Sequence, residues 1–159
     1  MPQKKQKDTE RSVNAYNNRW MKITPASKED IAAAEAYLEV AFPEDLVKLF
    51  KLCSGGRPVK NYYISYENDI EVSIGYILPF KKESKRWDIL TEYDYLYTRF
   101  NFPAELIPFA IDEGHANYYC LKMETGEVIY YLHDEPENRE KKLSNSLSVF
   151  LRGLTEWPY

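Results

Sequence analysis

The chain has 159 residues and two cysteines, a length that builds one domain and buries most of its unfolded surface without disulfide staples. Apolar residues make up 44% and charged residues 29%, ordinary for a globular protein, and no run approaches the roughly 18 apolar residues that span a bilayer. Net charge is −4 but uneven: residues 1–19 carry five bases and two acids, whereas 112–140 carry eight acids against Lys122 and Arg139, a field that repels nucleic acid and attracts basic partners.

Residues 1–22 read as a basic, polar leader, partly ordered. It has no apolar core of the signal-peptide kind, so a cytoplasmic protein is expected. Val13, Tyr16 and Trp20 are spaced for a short helix, and a partly ordered tail is the other reading. The domain proper is expected over 23–159. It opens with a helix over about 28–40. Ser27 and Asp30 form a capping pair at its start, and Ile31, Ala34, Leu38 and Phe42 recur at helical spacing. A second helix starts at Pro43, presents Leu46, Leu49, Phe50 and Cys53, and stops at Gly55-Gly56.

The texture then changes to Tyr- and Ile-rich runs. Asn61 to Tyr66 and Ile70 to Phe80 read as strands joined at Asn68-Asp69, the second by its apolar and polar alternation. Lys81 to Lys85 is a polar break. Leu90, Tyr93, Tyr97 and Phe100 suggest a helix over 87–100. Leu106 to Ile111 is a short strand. Ala116 to Met123 and Glu127 to His133 form a hairpin about Glu124-Thr125-Gly126, with Tyr119 expected opposite Tyr131 and Asn117 opposite His133. Leu143, Leu147, Phe150, Leu151 and Leu154 give a C-terminal helix. This order implies an α+β fold: a mostly antiparallel twisted sheet of about four to six strands, with the N-terminal helical pair and the C-terminal helix packed against it.

No catalytic or metal-binding motif emerges. There is no Gly-x-Ser-x-Gly elbow, no Cys-x-x-Cys pair and no Gly-rich phosphate loop. Cys53 and Cys120 read as inert core thiols. His115 and His133, placed near each other by the hairpin, match no ligand spacing. No cofactor is expected, and the role is expected to be non-enzymatic. What remains is the acidic, Tyr-rich stretch. Asp112, Glu113, His115, Tyr118, Glu124, Glu127, Tyr131, Asp134, Glu135 and Glu137 are its candidate partner-binding residues, carboxylates to steer a basic partner and tyrosines to anchor it.

Two separated blocks carry a resemblance. One runs from Ile31 to Pro58, with Ala34-Glu35, Phe42-Pro43-Glu44-Asp45, Phe50 and Gly55-Gly56-x-Pro58. The other runs from Leu106-Ile107-Pro108-Phe109-Ala110 through Asp112, Gly114, Asn117-Tyr118-Tyr119-Cys120-Leu121, Thr125-Gly126 and Val128 to His133-Asp134. With the helix ending in Phe150-Leu151, they resemble the SUKH superfamily, which takes in fungal cell-wall-synthesis regulators of the Smi/Knr type and bacterial immunity proteins. The resemblance implies a protein-binding role. The expectation is an immunity protein that neutralises a cognate toxin, a nuclease with a basic nucleic-acid-binding cleft, without itself touching nucleic acid or membrane, as a monomer or weak dimer. The alternative is a regulatory or scaffold domain; a small-ligand binder or enzyme ranks last.

Overall fold

A computed structural model describes residues 11–82 and 86–159. Lys4, Lys5 and Lys7 of the leader, and residues 83–85 of the polar break, lie outside that range. The described elements are β1 (Ser12–Ala15), β2 (Asn18–Met21), α1 (Lys28–Leu38), α2 (Glu44–Cys53), β3 (Arg57–Pro58), β4 (Tyr62–Ser65), β5 (Ile70–Ile77), α3 (Ile89–Asp94), β6 (Leu106–Asp112), β7 (Tyr118–Lys122), β8 (Val128–Tyr131), β9 (Glu140–Ser144) and α4 (Leu147–Arg152). A π-helical turn, Tyr95–Arg99, continues α3. Strands β4 to β9 form one antiparallel sheet in sequential order, and β1, β2 and β3 form a second, smaller one. The α+β architecture and the sheet's strand number follow the sequence reading.

The second half of the leader is part of the fold. Val13 pairs with Trp20 across a hairpin turned by Tyr16 and Asn17. Both turn residues have φ near +57°, the backbone that matches the right-handed twist of a two-residue hairpin. Trp20 is fully buried, and its indole Nε1–H donates to the Ala15 carbonyl at 3.0 Å. The helical reading failed because Val13 and Trp20, seven apart in sequence, are cross-strand partners.

The helical pair forms as its caps dictate. The Asp30 amide donates to Ser27 Oγ and the Ser27 amide donates to Asp30 Oδ2, each at 3.0 Å, closing two of the free donors of the first turn. After α2 the chain turns through Gly55 at φ +75°. Both cysteines are buried, and burial pushes the Cys53 thiol up to about 12.

Strand β6 is the centre of the molecule: all seven of its residues are buried. Alternation along β7 sends Tyr118 and Tyr119 to opposite faces. On one face α3 covers the sheet, where the Tyr118 hydroxyl donates to Glu92 Oε2 at 2.7 Å and the Tyr93 hydroxyl to the Pro108 carbonyl at 3.0 Å. On the other face α4 places Phe150 against Phe109, Tyr119 and Tyr63. Pro108 has no N–H for a ladder, and it stands where the β6–β7 register shifts. Gly75 is fixed by close approach, since a Cβ there would sit 2.6 Å from the Asp112 carbonyl oxygen.

Three sequence expectations shift. The β7–β8 hairpin pairs Tyr118 with Tyr131 and Tyr119 with Tyr130, one residue away from the expected register. The reason is the turn: the Lys122 amide donates to the Glu127 carbonyl at 2.9 Å, enclosing the four residues 123–126 instead of three, with Gly126 at φ +78°. The C-terminal helix begins at Leu147, because the Ser146 hydroxyl caps it by accepting from the Val149 amide. Leu143 belongs instead to β9, the sixth strand. Finally, α3 and the π turn after it bury Ile89, Glu92, Tyr93 and Leu96, while Leu90 and Phe100 face outward. The π turn adds a residue to the helical repeat, so the expected stripe does not hold its face.

Candidate protein-interaction site

Antiparallel strands in sequential order bring alternate turns to the same end of a sheet. The β4–β5, β6–β7 and β8–β9 connections therefore share one end, and the β7–β8 turn lies at the other. Of the ten candidate residues, Glu113, His115, Asp134, Glu135 and Glu137 fall in the shared end. His133 beside them is half-buried and the other five are exposed. Among the described residues, Glu113, Glu135 and Glu137 have no ion-pair partner. His115 sits edge-on to the Tyr76 ring, 5.4 Å between centroids. His133 Nε2 lies 3.3 Å from Asp134 Oδ1.

The other five do not belong to this surface. Asp112, Tyr118 and Tyr131 are buried. Asp112 builds the β6–β7 turn: its Oδ1 accepts from the Ala116 amide at 2.9 Å and its Oδ2 from the Tyr130 hydroxyl at 2.7 Å. Tyr118 is committed to Glu92, and Tyr131 packs on Phe102 at 4.6 Å. Glu127 is half-buried and paired with Lys142 at 2.8 Å. That hydrogen bond, helped by Thr125, holds its carboxyl below the usual range. Glu124 is exposed but occupies the β7–β8 turn at the opposite end. The linear stretch 112–140 thus divides into an exposed acidic end and a structural remainder.

Sequence reasoning missed the aromatic residues that border this end. Trp87, Tyr95, Phe100 and His133 follow one another in edge-to-face contact, with centroids 5.1, 4.8 and 5.7 Å apart. Trp87 and Phe100 are 45% and 43% exposed, large for rings of this size. The row leads from α3 directly to the acidic loop after β8. Its signal was present in the spacing of Tyr95 and Phe100, five apart, which a π turn brings side by side.

Besides Asp112, the acid Glu92 is buried, 6% exposed. Burial pushes its carboxyl above the ordinary range, and the Tyr118 hydrogen bond opposes this in part. Among the described residues no group of three or more His, Cys, Asp or Glu side chains is placed to hold a metal ion. The concavity over the β8–β9 loop, lined by Tyr131, Pro136, Glu137, Asn138, Arg139 and Glu140, is open and shallow.

An α+β domain whose distinguishing surface is an acidic sheet end bordered by aromatic rings has the form of a binding module. Comparison with protein families agrees with the two blocks of resemblance: the SMI1 / KNR4 family (SUKH-1) matches residues 25–153. The chain belongs to that family. No curated protein matches it. The β1–β2 hairpin and the last residues, 154–159, lie outside the matched span.

Proposed function

We propose that this protein is an immunity-type binding module that acts without turnover in the cytoplasm. It would cover the basic, nucleic-acid-binding cleft of a cognate toxin with the acidic end of its sheet. The observation that carries this reading is the clustering of Glu113, Asp134, Glu135 and Glu137 in two turns that the topology brings together, all exposed and beside an open aromatic row. Carboxylates so placed accelerate encounter with a positive cleft, while Trp87 and Phe100 offer rings to bury in it. Family membership supports a protein-binding role. Among the described residues no helix is long and apolar enough to cross a membrane.

The test is co-expression with each toxic product encoded by a neighbouring gene. Rescue of growth and a stable complex are expected. The variant Glu113→Lys/Asp134→Lys/Glu137→Lys should slow association by about tenfold or more and flatten its salt dependence. If no neighbouring product is bound or neutralised, the toxin reading fails.

A further inference from the structure

A second exposed aromatic surface lies at the β4 edge of the sheet, where the β4–β5 turn meets the C-terminal segment. Tyr66 is 86% exposed, Trp157 65% and Tyr159 74%. These rings come from two separate segments that the fold joins. Thr155 and Tyr62 exchange backbone hydrogen bonds of 3.0 and 2.7 Å, adding the C-terminal segment to edge strand β4. The Tyr159 hydroxyl then donates to Glu71 Oε1 at 2.9 Å. Tyr159 stands edge-on to Tyr62 at 6.5 Å, and Trp157 edge-on to Tyr159 at 5.9 Å. So the tail is fixed through its backbone, one hydroxyl and ring edges, while large ring areas stay open to water.

The two segments that carry these rings are acidic. Residues 66–71 and 155–159 contain Glu67, Asp69, Glu71 and Glu156 and no base, and all four acids are exposed. Outward from β5, strand β4 is an edge. Beyond the Tyr62–Thr155 bridge, the groove bordered by Ile64, Ser65, Tyr66 and Asn145 is open, about 300 Å³ in volume, and its one lining base, Lys142, is held by Glu127 at 2.8 Å. Aromatic faces framed by carboxylates complement guanidinium: it stacks on the ring and its planar fork takes a carboxylate bidentately. A lysine ammonium gains less from both.

We propose that Tyr66, Trp157 and Tyr159, with Glu67, Glu71 and Glu156, form a docking surface for an extended, arginine-rich segment of a partner protein. The surface uses the β4–β5 turn and the C-terminal segment, residues distinct from the β6–β7 and β8–β9 turns assigned to the toxin, and its tail lies beyond the family match. The inference therefore holds whether or not the partner is a toxin.

Fluorescence anisotropy with labelled synthetic peptides on the full chain tests it. An arginine octapeptide should bind, a lysine octapeptide more weakly, and a glutamate octapeptide not at all. Tyr66→Ala/Trp157→Ala should weaken the arginine peptide about tenfold or more, with unchanged circular dichroism. Leu90→Ala, an exposed control elsewhere, should leave it unaltered. Glu113→Lys/Asp134→Lys/Glu137→Lys should preserve most of the loss on Tyr66→Ala/Trp157→Ala, separating this surface from the acidic end. Binding of the arginine peptide that survives the aromatic double variant would overturn the proposal. So would equal affinity for arginine and lysine peptides, since charge alone would then explain it. A dimer in sedimentation that Trp157→Ala dissolves, with no peptide binding, would assign the surface to a second copy of the chain.

Discussion

Tyr93 and Tyr66 are the same residue in two settings. Over the centre of the sheet, Tyr93 is fully buried and its hydroxyl is tied to the Pro108 carbonyl. Nearby, Tyr97 donates to the Leu106 carbonyl and Tyr118 to Glu92. Burial raises all three hydroxyls well above their ordinary pKa, so they remain neutral donors. At the β4 edge, Tyr66 is almost fully exposed, and among the described residues its hydroxyl has no hydrogen-bond partner. A tyrosine-rich composition therefore does not by itself indicate a binding surface. What separates the two regions is whether each ring is packed into the core, as Tyr93 is, or left open to water, as Tyr66 is.

The sharpest way to break the comparison is to remove the inner region. Phe150→Ala deletes a fully buried ring that touches Tyr63, Phe109 and Tyr119. It should lower unfolding stability by about 3–5 kcal/mol, the range for deleting a core aromatic. Chemical denaturation would show this as a lower midpoint. A loss under about 1 kcal/mol would mean that α4 is not packed on the sheet.

A subtler change tests the hydroxyl alone. Tyr93→Phe keeps the ring and removes the donor to Pro108. Because that carbonyl is buried at a register shift, its loss should cost about 1–2 kcal/mol.

These two regions also explain what could be read from the sequence. Local signals held. Ser27 and Asp30 form the reciprocal cap, and Gly55 takes the left-handed backbone after α2. The alternation in Ile70–Ile77 marks β5. What failed was decided by long-range geometry. Val13 and Trp20 looked helical because hairpin partners happen to stand seven apart. Leu143 looked helical because it precedes Leu147 by four, although the cap at Ser146 starts the helix later. Asp112 looked like one more surface acid, and no local pattern announces that Tyr130 and the Ala116 amide claim its oxygens. The site suffered the same way. A sheet end is assembled from turns far apart in sequence, so a contiguous acidic stretch was a poor guide to which carboxylates stand together.

Buried and exposed carboxylates differ as the tyrosines do. Glu92 is held above the ordinary carboxylate range by burial. A raised folded-state pKa means the folded protein holds the proton more tightly than the unfolded chain. Its stabilising contribution is thus present at low pH and is lost as pH rises through the folded value. Glu92→Gln keeps an acceptor for Tyr118 and removes the titration. Relative to the parent, the variant should gain stability from the ordinary carboxylate range up to neutral pH, by less than Tyr93→Phe loses. Denaturation midpoints across that window would show the two curves converging at low pH. Parallel curves would mean that Glu92 is not buried as described.

The smallest expected effect is the most direct check on the contrast. Tyr66→Phe removes a hydroxyl that bonds to nothing inside the chain, so stability should change by less than about 0.5 kcal/mol. The same atom deleted at Tyr93 should cost several times more, although both substitutions keep the ring. If Tyr66→Phe proved as damaging as Tyr93→Phe, the edge tyrosine would have to be part of the packed structure. The rings at the β4 edge would then be structural, with no surface left for a partner to cover.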